Sequence, residues 1–247
     1  MKSNLAHQPN AELVEMRLAN TMVWVSRPVT DQSVAMIVDD GALSEAELLV
    51  CLSQEEKFSA GAVDDSQEKR HFLLRRAFQR SFIKKVVGWQ DRLSNIPLKH
   101  QRDRRPVCLS VPGLCLSFSS SGMTAMACAA GNSQVGIDVE YLRPVSNPLA
   151  LSTRFFSAAE TAYLASLPKM HQETEFLKLW AIKEACLKAV GKGIVHGLES
   201  FIISAKAGIY SVQPTPEFGQ AENWTISLLD VAAEHTVALA CFAPSLD

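Results

Sequence analysis

The chain has 247 residues, 47% hydrophobic and 20% charged, with a formal net charge of −2. This is the profile of a globular protein of one large or two small domains, with no general basic field to draw in nucleic acid. Any anion site must therefore be local. The N-terminus lacks an apolar signal core, and no stretch approaches the roughly 20 apolar residues of a membrane span. Six cysteines sit in apolar runs, with neither a C-x-x-C pair nor zinc-like spacing. Buried free thiols in a cytoplasmic protein, with no membrane partner, are the expectation.

Residues 1–20 are polar and are expected to form a poorly ordered lead. Strands are expected at 22–27 ("MVWVSR") and 34–38 ("VAMIV"), then one helix over 43–58, with Ser44 as N-cap and Glu47 completing a capping box. A second helix spans 68–87. Leu74, Ala77, Phe78, Ser81, Phe82 and Val86 keep helical spacing on its core face. Its other face carries Lys69, Arg70, Arg75, Arg76, Arg80, Lys84 and Lys85.

Short strands and turns follow around Pro106 and Pro112. Two strands, "MTAMACAA" and "QVGIDVEYL", are then expected to form a hairpin about Gly131-Asn132. Ser157 and Glu160 predict another capped helix. A long helix over 173–190 is expected to stop at Gly191, and the remainder is strand-rich. The class is α+β, with a division near residue 130: an N-terminal half over 21–130 and a C-terminal half over 131–247.

In "VGIDVE" (135–140), strand alternation puts Val135, Ile137 and Val139 on one face and Gly136, Asp138 and Glu140 on the other. The two carboxylates, roughly 7 Å apart at Cα, suit either a solvated edge or one hard cation. Trp180, Glu184 and Lys188 share one helical stripe. Taken alone, Glu184 and Lys188 suit a surface ion pair, with the lysine favoured by the helix dipole.

Together, "VGIDVE", "RFFSAAE" (154–160) and "WAIKEACLKAVGKG" (180–193) resemble, in order, the motifs of the 4′-phosphopantetheinyl transferases. The resemblance covers roughly residues 100–200, and the chain's length matches the monomeric Sfp-like branch. It implies two similar α+β halves related by pseudo-twofold symmetry, with coenzyme A between them. It implies transfer of the phosphopantetheine arm of coenzyme A to a serine of an apo acyl or peptidyl carrier protein, releasing adenosine 3′,5′-bisphosphate. By this similarity Asp138, Glu140 and Glu184 bind Mg²⁺, and Lys188 contacts the phosphates. The serine proton goes to Glu184, Glu160 or a metal-bound water; Glu160, as a capping-box residue, also has a purely structural explanation. Lys183 matches the motif, and Trp180 packs the site.

The resemblance further implies that Arg70, His71, Arg75, Arg76, Arg104 and Arg105 hold the nucleotide end. Arg105 stands where a Gly-Lys-Pro-like turn has its lysine. In "SFSSSGM", Ser119 and Ser120 stand at the family's Ser-His-Ser element, with Ser120 replacing the histidine. A serine donates a hydrogen bond to phosphate but brings no positive charge. That departure keeps a non-catalytic coenzyme A or carrier-binding homologue as an alternative, beside another Mg²⁺-dependent phosphate hydrolase.

Overall fold

The computed structural model describes residues 44–100, 105–122, 124–131, 133–192, 197–206, 208–230 and 234–243, with backbone alone at 13–18, 21–26, 101 and 104. The strand expected at 34–38 and the residue Asn132 lie outside them.

In chain order the elements are β1 (Leu13–Leu18), β2 (Thr21–Ser26), α1 (Glu45–Cys51), α2 (Gln54–Gly61), α3 (Ser66–Val87), β3 (Leu98–Gln101), β4 (Arg104–Cys108), β5 (Leu114–Ser121), β6 (Thr124–Gly131) and β7 (Gln134–Tyr141). Then come α4 (Pro148–Phe155), α5 (Ala158–Ser166), α6 (Lys169–Ala189), β8 (Phe201–Lys206), β9 (Ile209–Pro214), β10 (Trp224–Leu229) and β11 (His235–Phe242). β1 thus falls within the stretch expected to be poorly ordered. Among the described residues no helix is long and apolar enough to cross a membrane, and all six cysteines are buried outside any disulfide.

Two antiparallel sheets form the centre, in the orders β1-β2-β6-β5 and β10-β11-β7; β3-β4 and β8-β9 are separate pairs. Strand alternation distributes β5 and β6 between two cores. Leu116, Ala125, Ala127 and Ala129 face the helices α1–α3, beside Leu48, Leu74, Ala77 and Phe78. Cys115, Met126, Cys128 and Ala130 face the second sheet, against Val135, Ile137 and Val139 of β7 and Val237 and Leu239 of β11. Behind that sheet, Ala238 and Ala240 pack with Leu179, Ile182 and Cys186 of α6. The order of layers is helix, sheet, sheet, helix, so β6 is buried on both faces and is almost entirely apolar.

Three expectations are corrected. The helix read over 43–58 is two helices. Leu52 is extended, and Ser53 starts a new capping box with Glu56. The hairpin read at Gly131 is a crossover: β6 pairs with β2 and β5, while β7 pairs with β11 in the other sheet. Arg80 does not belong to an exposed basic face. It is 1% exposed, donates to Glu56 (2.7 Å) and to the carbonyls of Leu93 and Ile96, and so joins α3 to α2 and to the chain after it. Burial pushes the Glu56 carboxyl up, but the His100 ring, the Arg80 guanidinium and the Ser53 N–H outweigh it and hold Glu56 down at about 2.

α5 carries the expected Ser157–Glu160 capping box. α6 begins after Pro168, four residues before the expected start. Gly191, at φ 70°, takes the left-handed turn after its end, and the Lys192 N–H reaches back to the Leu187 carbonyl at 2.9 Å. β7 and α6 meet backbone to backbone at Gly136, where a Cβ would lie 2.0 Å from the Ala185 oxygen. This contact turns the even-numbered face of β7 toward α6.

Candidate active site: three carboxylates and a lysine between β7 and α6

Because Gly136 faces α6, Asp138 and Glu140, two and four residues on, stand on the same side. From α6, Glu184 and Lys188 reach the same place. The Lys188 ammonium contacts Asp138 Oδ1 at 2.5 Å and donates to Ser119 Oγ at 2.9 Å. Ser119 donates in turn to Asp138 Oδ1 at 2.8 Å. The residues expected at the cation and the phosphate are thus gathered from two elements, with a serine from the opposite sheet beside them.

Their electrostatics are unbalanced. Burial pushes the Glu184 carboxyl up to about 7; the negative charge of Asp138, and more weakly that of Glu140, adds to the rise, while Lys188 opposes it. Glu140 is raised by burial first and Asp138 second, with Arg143, Lys188 and the Ser121 hydroxyl pulling the other way. Asp138 Oδ2 and Glu184 Oε1 are buried without a hydrogen-bond partner. One ammonium among three acids does not neutralise them. Among the described residues no three acidic, thiol or imidazole side chains already stand in metal-ligating geometry. What fits a divalent cation is the hard-oxygen donor set with two buried, partnerless oxygens.

The structure does not bring Glu160 and Lys183 into this cluster. Lys183 Nζ bonds Glu160 Oε1 at 2.8 Å, with both side chains fully buried, and donates to the carbonyls of Leu198 and Phe201. Glu160 also accepts from the N–H groups of Ser157 and Ile203. This pair anchors α5 and α6 to the start of β8, and neither side chain is open to a ligand. Trp180 packs on Phe155, Phe156 and Phe176 with centroids 5.7–6.3 Å apart, as a support for the helix.

Arg105 donates to the Ala189 carbonyl (2.8 Å) and to Cys115 Sγ (2.7 Å), so it braces β4 against the end of the helix bearing Lys188. It also lines an open cavity of about 320 Å³ with Pro106, Val107, Leu114, Cys115, Ser133 and Gln134. The carboxylates do not line this cavity, but β7 connects the two places: Gln134 and Asp138 are four residues, about 13 Å, apart. The Arg104 side chain lies outside the described residues. Arg76 is half-buried against His100 and Gln79; Arg70 and Arg75 are exposed and His71 is partly buried. Ser120 is exposed, on the face of β5 that Phe118 shares with Phe82 of α3. Adjacent serines thus face different layers.

Sequence reasoning did not foresee that Ser119 bonds Asp138 and Lys188. A usable signal was present in the alternation Ser117, Ser119, Ser121: hydroxyls on every second residue imply a partner for that face.

Residues 134–240 match the model of the 4′-phosphopantetheinyl transferase superfamily. The chain is 32% identical over 162 residues to the 4′-phosphopantetheinyl transferase Sfp of Bacillus subtilis strain 168, covering 62% of this chain and 71% of that protein. It is 31% identical over 151 residues to HetI of Nostoc (60% of this chain, 63% of HetI). Over 109 residues it is 38% identical to psf-1 of Bacillus pumilus (44% of this chain, 46% of psf-1). The matches to psf-1 and HetI thus span about half to two-thirds of those relatives.

Proposed function

This chain belongs to the 4′-phosphopantetheinyl transferase family, and on that premise we propose that it transfers the phosphopantetheine arm of coenzyme A to a serine of an apo acyl or peptidyl carrier protein. The observation that carries the proposal is the cluster of Asp138, Glu140, Glu184 and Lys188, with two of its buried oxygens left without partners.

Asp138, Glu140 and Glu184 would hold Mg²⁺, which when bound supplies positive charge for the pyrophosphate of coenzyme A and for its leaving oxygen. Lys188, held at Asp138 and Ser119, contacts a phosphate oxygen as a point charge. Glu184 takes the proton of the incoming serine, as a carboxylate of the cluster with a buried oxygen that lacks a hydrogen-bond partner. The serine oxygen forms a bond to the phosphorus nearer the pantetheine. The bond from that phosphorus to the bridging oxygen breaks, and adenosine 3′,5′-bisphosphate leaves. The cavity at Arg105 would receive the nucleotide end, and Arg104, Arg76, Arg70, His71 and Ser120 remain further candidates for contacts to it. Glu160 and Lys183 are left out because each is used up inside the fold.

The two halves divide near residue 130, where the chain crosses between sheets, and repeat a helix-then-sheet order in the manner of a pseudo-twofold. Because β5 and β7–α6 of one chain meet at the site, a monomer suffices, and six thiols outside any disulfide suit the cytoplasm. The test incubates the protein with coenzyme A, Mg²⁺ and a panel of apo carrier proteins. Intact mass shows which carriers gain the arm, and chelator should stop the gain. A panel with no gain and no bisphosphate release overturns the proposal.

A further inference from the structure

The two sheets are joined along β5 and β7 by side chains in place of a backbone ladder. Cys115 Sγ accepts from the N–H of Val135 at 3.3 Å, and Ser117 Oγ from Ile137 at 3.1 Å. Ser119 Oγ accepts from Val139 at 3.3 Å, and Ser121 Oγ from Tyr141 at 3.0 Å. Each rung advances both strands by two residues, as strand alternation requires. The even-numbered N–H groups of β7 are directed toward β11, so these rungs satisfy the odd-numbered ones.

A hydroxyl that accepts from an N–H still has its own proton to give. On the Ser117 rung, the β7 residue just before the bonded N–H is Gly136, which has no side chain. On the Ser119 rung it is Asp138, whose Oδ1 takes the serine proton at 2.8 Å. On the Ser121 rung it is Glu140. Lys188 Nζ occupies the second acceptor position of Ser119. The one donor and two acceptor positions of that hydroxyl are therefore in use.

We propose that Ser119 is a positioning residue, which fixes the Asp138 carboxylate and the Lys188 ammonium relative to β7 from the opposite sheet. Bonding by Ser119 to Oδ1 leaves Oδ2 as the free ligand atom. Ser119 then works through Asp138 and not through a phosphate contact of its own. This rests on the reading of Asp138 and Lys188 as site residues.

The test combines Mn²⁺ titration of the full chain, followed by electron paramagnetic resonance, with steady-state kinetics. Ser119→Ala should weaken Mn²⁺ binding about 10–100-fold and lower kcat, with KM for coenzyme A little changed. Ser119→Thr, which keeps the hydroxyl, should restore both; Ser119→Cys, with a weaker donor, should fall between. Ser117→Ala removes a rung that touches no site residue, so it should lower the urea midpoint and leave Mn²⁺ affinity and kcat alone. In an Asp138→Asn background, Ser119→Ala should have little further effect on kcat.

A rise in KM for coenzyme A with Mn²⁺ binding intact, or effects that multiply with Asp138→Asn, overturns the proposal. If the wild-type protein loads no carrier, the proposed function fails on its own, and a cycle of urea midpoints still decides this inference. Ser119→Ala and Lys188→Met should together lower the midpoint by less than the sum of their separate shifts. Additive shifts would overturn it.

Discussion

Lys183 and Glu184 are neighbours in sequence and opposites in situation. Lys183 pairs with Glu160 in a bridge fully closed to solvent, where carbonyls and N–H groups take up the remaining bonding capacity. Glu184 stands one residue away on the face it shares with Lys188, against Asp138, where the ion pair is partly open and two buried oxygens lack partners. Both regions hold acids and a lysine on the same helix. On this helix the completed bonding pattern belongs to a structural pair, and the incomplete one, gathered with two further acids and a lysine, to the candidate site.

The comparison breaks most visibly at Lys183. Lys183→Met leaves Glu160 buried without its counter-charge and should cost about 3–5 kcal/mol in urea denaturation. A change under about 1 kcal/mol would mean the pair is not structural.

Glu184→Gln should do the reverse, lowering kcat by about 10²–10⁴-fold while the fold persists. Its stability effect has a definite sign with pH. Below the unfolded value of 4.5 both states are neutral and wild type and variant should be equally stable. Between 4.5 and about 7 the unfolded chain ionises first, so the wild-type fold loses ground. Above 7 the glutamine variant should be more stable by about 3 kcal/mol in chelator. Urea titrations at pH 4 and pH 8 check this, and equal gains at both would contradict a buried, strained carboxylate.

Arg105 lies between the two classes, bonded to the fold yet facing a cavity. Arg105→Ala should cost about 1–3 kcal/mol through the lost bonds to Ala189 and Cys115. Lysine should recover only part, because it lacks the planar fork. A raised KM for coenzyme A without loss of stability would class it as a ligand contact alone. The smallest effect is expected at exposed Ser120: Ser120→His should leave KM for coenzyme A unchanged or lower it, and a large rise would remove this face of β5 from the nucleotide's path.

Local chemistry was readable from the sequence wherever neighbours along the chain determine it. Ser157 and Glu160 specify their capping box, and alternation puts Asp138 and Glu140 on one face. The spacing of Trp180, Glu184 and Lys188 puts them on one stripe. What failed to show depends on partners far apart in the chain. Glu160 and Lys183 are 23 positions apart, so their bond is a property of packed helices and no periodicity reveals it. Arg80 sits at a core position that its charge argued against, and Glu56 with the carbonyls of Leu93 and Ile96 makes it tolerable there. The strands β6 and β7 looked like a hairpin because a turn signal joins them. The pairing was decided instead by β2 and β5 on one side and β11 on the other.

Gly136 contributes no chemistry, yet it behaves as the closed end of a calliper. Strand and helix touch there, with a Cβ position only 2.5 Å from the Ala189 nitrogen as well as 2.0 Å from the Ala185 oxygen. The opening between the tips, where Asp138 meets Lys188 and faces Glu184, is gauged by that contact. A single methyl group at this position would spread the jaws and detune every acid along β7 at once, without altering any of them.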